Sequence, residues 1–263
     1  MVKIVTINIL YDLAEWEMRR TLLVDGLKAE KADLIALQEV KFPENTAAWL
    51  AGELGMPYIQ LVPDRRKTGT NSASVGNAIL SRHPFVQEAV LDLQTQGRVA
   101  QYVQVNVDGQ PLVFCNGHYY WHPGHHPERV KQVQLLIDWL SKFPPSMPIV
   151  SVGDFNGTPQ TPAITLMKQR FISAYAAYNG HEPEYNCPTP LVRRNWKQVL
   201  RLLIRDWIFN RTLRPWRGTL DYIFINQHLR VRSCQLILNQ PALHSSTLYP
   251  SDHFGIAADL ELI

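Results

Sequence analysis

Residues 149–159 read IVSVGDFNGTP, a hydrophobic stretch that carries an acid and an amide straight into a turn. Ile149 and Val152 are typical of the end of a buried β-strand, and the glycines and proline that follow are typical of a loop. Asp154 and Asn156 are therefore predicted at the mouth of a strand, where binding and catalytic groups concentrate. Taken alone, the stretch is equally consistent with an Asx turn, because Asp and Asn are common turn residues.

A polar side chain follows or interrupts an apolar run at five further places. Singly, each could be a turn former, a solvated residue, a strand cap or a satisfied core histidine. Their joint occurrence favours one polar site built at the ends of several strands. The residues are Asn8 (TIN, 6–8), Glu39 (LQE, 37–39), His118 (FCNGH, 114–118), Asp221 (TLDYIF, 219–224) and the pair Asp252 and His253 (SDHFG, 251–255).

The periodicity of apolar residues predicts a mixed α/β protein with more than one sheet. Some predicted strands are close enough in sequence to form hairpins, whereas others are separated by helices. No internal repeat and no low-complexity segment is visible. The predicted strands lie near 2–9, 33–38, 58–61, 76–81, 99–107, 111–117, 147–152, 220–226, 231–238 and 253–261, and the predicted helices near 16–31, 44–55, 126–142, 161–169 and 194–210.

Composition indicates an ordinary globular protein. The chain has 263 residues, of which 46% are hydrophobic and 19% charged. Its three cysteines are far apart and form no CxxC, so neither a disulfide framework nor a structural zinc site is predicted. The start, MVKIVTINIL, resembles a strand rather than a signal peptide, and no stretch is long and apolar enough for a transmembrane segment. We therefore expect a cytoplasmic protein, and the sequence indicates no protein partner.

The polar residues match the chemistry of metal-assisted phosphoester cleavage. Carboxylate and amide oxygens are the ligands that Mg²⁺ prefers, and Mn²⁺ suits the same donors. Such an ion polarises phosphoryl oxygens and lowers the barrier to attack by water. Serine-type acyl transfer is disfavoured because no GxSxG is present, and zinc hydrolysis is disfavoured because neither HExxH nor a Cys/His cluster occurs.

The ordered motifs resemble the endonuclease/exonuclease/phosphatase superfamily from Thr6 to Gly255. The motifs are TINI, LQEV, NAILSRHP, the strand end at His118, GDFN, LDYIF and SDHFG. The resemblance implies a four-layer α/β/β/α sandwich of two packed mixed β-sheets flanked by helices. It also implies a single domain over residues 1–263, with a basic, Trp-rich insertion at about 181–217.

The resemblance assigns a role to each matching residue. It makes Glu39 the main ligand of Mg²⁺ or Mn²⁺, with Asn8 contacting metal or phosphate and Asp252 supporting the metal site. Asp154 would orient or deprotonate the attacking water. The remaining residues would bind and stabilise the phosphate: Asn156, His118, and His253 oriented by Asp221.

Branch-specific motifs favour a nucleic acid or nucleotide phosphodiester as the substrate. Many DNA-repair members carry a second acid two residues after the first-strand asparagine, whereas this chain has Leu10 there. The motifs around Trp16, Trp121 and YPSDH are similar to the deadenylase, nocturnin and 2′-phosphodiesterase branch. The alternative substrate is a phospholipid or small phosphorylated metabolite at a membrane surface. A non-catalytic binding module on the same scaffold is disfavoured because the catalytic positions are intact.

Positive charge is concentrated in residues 193–217, which carry a net charge of +7 and leave −4 on the rest of the chain. A helix here would place Trp196, Leu200 and Leu203 on one stripe and basic residues on the other face. Three interpretations stay open: a solvated face of a packed helix, a guide for nucleic-acid phosphates, and peripheral contact with anionic lipid. The candidate substrate-binding residues are Arg194, Lys197 and Arg201.

Overall fold

The computed structural model describes residues 1–65, 75–188 and 217–263, together with Leu200 and Ile204. Among the described residues, no helix is long and apolar enough to cross a membrane. The helices are α1 (Trp16–Glu30), α2 (Thr46–Leu54), α3 (Pro127–Leu140), α4 (Pro162–Lys168) and α5 (Ala174–Asn179). The strands are β1 (Val2–Asn8), β2 (Leu34–Lys41), β3 (Tyr58–Pro63), β4 (Val75–Ser81), β5 (Phe85–Asp92), β6 (Val99–Val107), β7 (Gln110–His118), β8 (Ile149–Asp154), β9 (Ile172–Ser173), β10 (Cys187–Pro188), β11 (Arg217–Gly218), β12 (Asp221–Ile225), β13 (Leu229–Ile237) and β14 (Gly255–Leu262).

Two six-stranded mixed sheets form the centre of the fold. The first sheet has the strand order β13-β14-β1-β2-β4-β3, and the second has the order β5-β6-β7-β8-β12-β9. A separate two-stranded ribbon joins β10 to β11. Side chains of the two sheets pack together in one hydrophobic core that contains Ile4, Leu34, Phe114 and Val150. This arrangement confirms the predicted packing of two mixed sheets.

Helices cover the outer face of each sheet. Leu23 and Leu27 of α1 and Leu50 of α2 pack on the first sheet, while Leu136 of α3 and Ile164 of α4 pack on the second. The central strands are thus buried on both faces, which explains why they are almost continuously apolar in sequence. The predicted four-layer α/β/β/α sandwich is confirmed.

Strand direction explains why the polar residues meet. The parallel pair β1 and β2 is connected through α1, and the parallel pair β7 and β8 through α3. Asn8 therefore ends β1 beside Gln38 of β2, and His118 ends β7 beside Asp154 of β8. β12 runs antiparallel to β8 and begins at Asp221, directly opposite Asp154. The ends of β1, β7 and β8 and the start of β12 thus lie at one edge of the two sheets. We call this edge, together with residues 251–253 that precede β14, the polar edge.

Several elements differ from the sequence prediction. The edge strand β5 was not predicted, because half of its side chains are exposed and Gln87 and Glu88 interrupt its apolar pattern. The short elements β9, β10, β11 and α5 were also missed, since none has more than six residues. The predicted helix at 194–210 lies outside the described residues except for Leu200 and Ile204, as does most of the predicted insertion.

A β-bulge in β2 is held in place by one amide from the opposite sheet. The pairing of β2 with β4 shifts register between Leu37 and Val40. Asn116 of β7 donates hydrogen bonds to the backbone oxygens of Leu37 and Ala78, at 3.0 and 2.9 Å. Its own Oδ1 accepts a hydrogen bond from Gln38 Nε2 at 2.7 Å. Asn116 therefore satisfies the polar groups that the bulge leaves inside the core.

We expect Asn116→Leu to lower the free energy of unfolding by about 3 kcal/mol, because two buried carbonyl oxygens would lose their donor. Urea unfolding monitored by circular dichroism measures this change. Asn106→Leu, at an exposed position on the neighbouring strand β6, is the matched control and should have a small effect. Equal destabilisation by both variants would contradict the role of the Asn116 amide.

Candidate active site

Asp154 is the centre of the polar edge. Its Oδ2 accepts a hydrogen bond from Asn8 Nδ2 at 3.1 Å and lies 3.5 Å from His118 Nε2. Its Oδ1 accepts the backbone N–H of Asn156 at 2.9 Å. The carboxylate is buried, and it links β1 of the first sheet to β7 and β8 of the second.

Two facing glycines allow Asp154 to reach this position. Gly153 has φ +133°, a conformation that residues with a side chain rarely adopt. A Cβ at this position would lie 1.9 Å from the backbone oxygen of Gly117 on β7. The strands can therefore approach closely only because residue 153 is glycine, and this approach sets Asp154 beside His118.

A second carboxylate holds the histidine that precedes the final strand. Asp221 Oδ2 lies 2.7 Å from His253 Nδ1, within a strong hydrogen bond. His253 Nε2 lies 4.0 Å from Asp154 Oδ2 and 3.3 Å from Cys187 Sγ. Because Nδ1 bonds to Asp221, the opposite nitrogen of the ring faces Asp154 and the rest of the polar edge.

Glu39 lies at the bulge of β2 and not after the end of a strand as predicted. Its φ of +60° turns the side chain out of the regular strand direction, and Oε2 accepts the backbone N–H of Tyr11 at 3.0 Å. Burial raises the pKa of Glu39, and the charge of Asp252 raises it further. The side chains of Glu39 and Asp252 are half-buried, whereas those of Asp154 and Asp221 are fully buried.

Burial and mutual repulsion both raise the pKa values of the buried carboxylates. Burial, followed by the charge of Asp221, raises the pKa of Asp154 to about 6. Burial is also the largest cause of the raised pKa of Asp221. Burial lowers the pKa of His253, but interactions with Cys187 and Asp221 raise it well above its usual range. A bound cation would relieve the same repulsion between the carboxylates.

The donor groups fit a metal ion. One ligand atom each from Asp154, Asp221 and His253 lies within 4.8 Å of the others. Asp221 Oδ1 is buried and receives no hydrogen bond from the described residues, so it has an unused lone pair. The sequence-predicted ligands Glu39, Asn8 and Asp252 belong to the same edge, since Asn8 bonds directly to Asp154. Hard oxygen donors of this kind suit Mg²⁺ or Mn²⁺.

The structure also shows a residue that sequence reasoning missed. Arg98, at the turn before β6, is buried, and its Nη1 lies 3.0 Å from both His118 Nδ1 and Asp64 Oδ2. Because a guanidinium can only donate, Nδ1 of His118 must accept, and the proton of the neutral ring is on Nε2, which faces Asp154. No motif marks Arg98, whose partners are distant in sequence.

The structure brings the predicted catalytic and metal-binding residues to the polar edge: Asn8, Glu39, His118, Asp154, Asn156, Asp221, Asp252 and His253. The predicted substrate-binding residues Arg194, Lys197 and Arg201 lie outside the described residues. Their position relative to the polar edge stays a prediction.

A four-layer α/β/β/α sandwich with buried carboxylates and imidazoles at the joint edge of its sheets defines the deoxyribonuclease-I-like class of proteins. The chain belongs to the Endonuclease/Exonuclease/phosphatase family, whose family model matches residues 5–253. The resemblance inferred from the ordered motifs is thereby confirmed.

Curated relatives of this chain include proteins of the branch that its motifs indicate. The 2′,5′-phosphodiesterase 12 of Mus musculus is 25% identical over 291 residues, which cover 94% of this chain and 46% of the relative. The chain spans about half the length of the curated relatives that it matches.

Two solved structures share the fold. The human nocturnin catalytic domain with bound sulfate has a TM-score of 0.75 at 23% identity, covering 100% of this chain and 93% of that domain. TDP2 of D. rerio complexed with a single-strand DNA product has a TM-score of 0.77 at 17% identity, covering 99% and 98% of the two chains.

We expect Gly153→Ala to displace Asp154 and to destabilise the fold, because the new Cβ would collide with the backbone of β7. Thermal unfolding should show a lower Tm. Gly52→Ala, within α2 where no atom lies within 4 Å of the added Cβ, is the matched control and should be neutral or stabilising. An unchanged Tm for Gly153→Ala would contradict the close approach of β7 and β8.

Proposed function

We propose that this protein is a divalent-metal-dependent phosphodiesterase that cleaves a nucleic acid or nucleotide by metal-assisted attack of water. The observation that carries the proposal is the buried group of Asp154, Asp221 and His253, set beside Asn8 and His118 at the joint edge of two sheets. A purely structural role is disfavoured, because burying several carboxylates together costs stability, and a non-catalytic binding module is disfavoured because the catalytic positions are intact.

Glu39, Asn8 and Asp252 would hold the ion, and the adjacent group of Asp154, Asp221 and His253 offers a second set of ligands. When bound, Mg²⁺ or Mn²⁺ supplies Lewis-acid polarisation of the phosphoryl oxygens. The repulsion between Glu39 and Asp252 supports this assignment, since a cation between two carboxylates stabilises both in the charged form.

The chain's own groups would complete the reaction. Asp154 would orient the attacking water and accept its proton. His118 would donate its Nε2 proton in a hydrogen bond to the phosphate, because Arg98 occupies Nδ1. His253, held by Asp221, would stabilise charge that develops on the phosphoryl oxygens. The amide of Asn156 would bind the same phosphate.

The names of similar proteins support a nucleic-acid or nucleotide substrate. One is a 2′,5′-phosphodiesterase, and the D. rerio TDP2 structure contains a single-strand DNA product. A phospholipid or small phosphorylated metabolite at a membrane surface is the alternative. We also propose a reducing, cytoplasmic location, with which the three buried, unpaired cysteines are consistent.

Glu39→Gln should lower the rate of phosphodiester hydrolysis about a hundredfold or more while leaving the fold intact, because it removes charge without changing shape. We would measure turnover of a phosphodiester panel with Mg²⁺ or Mn²⁺, with and without chelator. Wild-type Tm should rise with the metal, and the rise should be smaller in the variant.

The control for this experiment is Glu53→Gln, an exposed residue of α2 that forms a surface ion pair with Lys28. It should keep wild-type turnover and metal response. Full metal-stimulated turnover in Glu39→Gln would overturn the assignment of Glu39, and no turnover of any phosphodiester by the wild-type protein would overturn the proposed function.

Substitutions in the basic segment, residues 193–217, can distinguish the two candidate substrate classes. If it guides nucleic acid, changing Arg194, Lys197 and Arg201 to Ala should raise KM for an RNA oligonucleotide with little change in kcat, because uniform binding is lost. The effect should shrink at high salt, where exposed charges are screened within about 10 Å. Unchanged KM at both salt concentrations would assign the segment a structural role, and selective loss of binding to anionic vesicles would favour the lipid alternative.

A further inference from the structure

The loops that follow β1 and β7 are built alike, although their sequences differ. In each, a polar residue ends the strand, an aromatic residue follows three positions later, and a buried arginine follows eleven positions later. The first set is Asn8, Tyr11 and Arg19, and the second is His118, Trp121 and Arg129. Each loop leads into the helix that joins a parallel pair of strands.

Arg19 fixes the first loop through backbone carbonyls. Its Nη1 donates to the oxygens of Ile9 and Pro250 at 3.0 and 3.1 Å, and further bonds reach Leu10, Asp12 and Ala14. Glu39 accepts the N–H of Tyr11 itself. The backbone of Tyr11 is therefore held on both sides.

Arg129 fixes the second loop in the same way. Its guanidinium donates to the backbone oxygens of Tyr120 at 3.0 Å and Gly124 at 2.7 Å, and also to that of His122. Trp121 donates its own N–H to Gln96 Oε1 at 3.1 Å. Both loops thus present their aromatic residue from a rigid backbone.

Each aromatic ring is half exposed and supported on one face. Tyr11 is 48% exposed, and Lys41 Nζ lies 5.7 Å from its ring centre. Trp121 is 49% exposed and stacks on His122, with ring centres 4.2 Å apart and planes 17° apart. Large exposed aromatic rings with a supported face are suited to stack on nucleobases.

Tyr11 and Trp121 each follow by three residues a side chain that contacts Asp154. Asn8 and His118 both contact its Oδ2, and three residues of chain extend at most about 11 Å. Tyr11 follows a strand of the first sheet, whereas Trp121 follows a strand of the second. The backbones of Tyr11 and Trp121 therefore lie near the polar edge, and each is reached from a different sheet.

We propose that Tyr11 and Trp121 are two stacking platforms, one on each side of the scissile phosphate, and that the substrate carries a nucleobase on both sides. The inference rests on the proposed phosphodiesterase function and extends it from a general phosphodiester to a dinucleotide unit. Stacking tolerates different bases because each has an aromatic face, so the platforms select for two bases without reading their sequence.

The test uses three phosphodiesters that differ in whether a nucleoside or a methyl group is attached on each side of the phosphate. Adenylyl-3′,5′-adenosine has a base on both sides of the phosphate, while adenosine 3′-methylphosphate and adenosine 5′-methylphosphate each have a base on one side. Isothermal titration with Ca²⁺ in place of the catalytic ion measures Kd without consuming the ligand. The variants are Tyr11→Ala, Trp121→Ala, and the conservative Tyr11→Phe and Trp121→Phe.

We expect the two-base ligand to bind wild-type protein more tightly than either methyl ester, by at least the factor of about fivefold to a hundredfold that stacking of one base contributes. Trp121→Ala should weaken the two-base ligand and only one of the methyl esters. Tyr11→Ala should weaken the two-base ligand and only the other ester. The two Phe variants should retain most of the affinity, because the stacking face is kept.

Tyr178→Ala is the matched control. Tyr178 is 53% exposed on α5, which follows β9, and β9 pairs with the end of β12 away from Asp221. Its substitution should change none of the three Kd values. Equal weakening of both methyl esters by one variant, no weakening at all, or failure of the Phe variants would overturn the inference. These outcomes are distinguishable from failure of the proposed function, which would appear as absent metal-stimulated hydrolysis by wild-type protein.

Discussion

The hydrogen bonds of Asn116 are the constraint on which the polar edge depends. A bulge in β2 is needed to turn Glu39 out of the sheet, but it leaves backbone oxygens without partners in a hydrophobic core. The amide from β7 supplies the missing donors and in doing so joins the second sheet to the first. Asn116 bonds to Leu37, two residues before Glu39, and it lies two residues before His118 on β7. Its hydrogen bonds therefore help to fix the position of Glu39 relative to His118. A core hydrogen bond thus sets the geometry of groups that face outward.

The same edge concentrates charge that the fold alone does not neutralise. Asp154 and Asp221 are buried, and burial is the largest cause of their raised pKa values. The fold accepts this arrangement because Asn8, Asn156 and His253 donate to the carboxylates, which replaces part of the lost solvation. Asp221 Oδ1 receives no such bond among the described residues. Polar groups left incompletely satisfied in this way are typical of sites that bind an additional ligand.

Much of this architecture can be predicted from the sequence, because parallel strands end at one edge of a sheet. The strand-end residues Asn8, His118 and Asp154 could be grouped before any contact was known. The bulge at Glu39 could not, since its cause is an amide on a strand more than 70 residues away. Arg98 could not be predicted either, because its contact with His118 depends on how β6 and β7 pair. A local sequence pattern does not indicate such a pairing.

The two loops are built alike although the chain shows no repeat in sequence. Arg19 and Arg129 bond to backbone carbonyls, so the loop conformation does not depend on the identity of most loop side chains. The shared elements are the arginine and its distance from the strand end. The two loops carry different chemistry on similar backbones. The first contributes an amide and, through β2, a carboxylate, while the second contributes an imidazole and a carboxylate. A phosphodiester has one reactive phosphorus with two ester groups attached to it. Under the proposed function, the two loops beside the polar edge would each accommodate one of those groups.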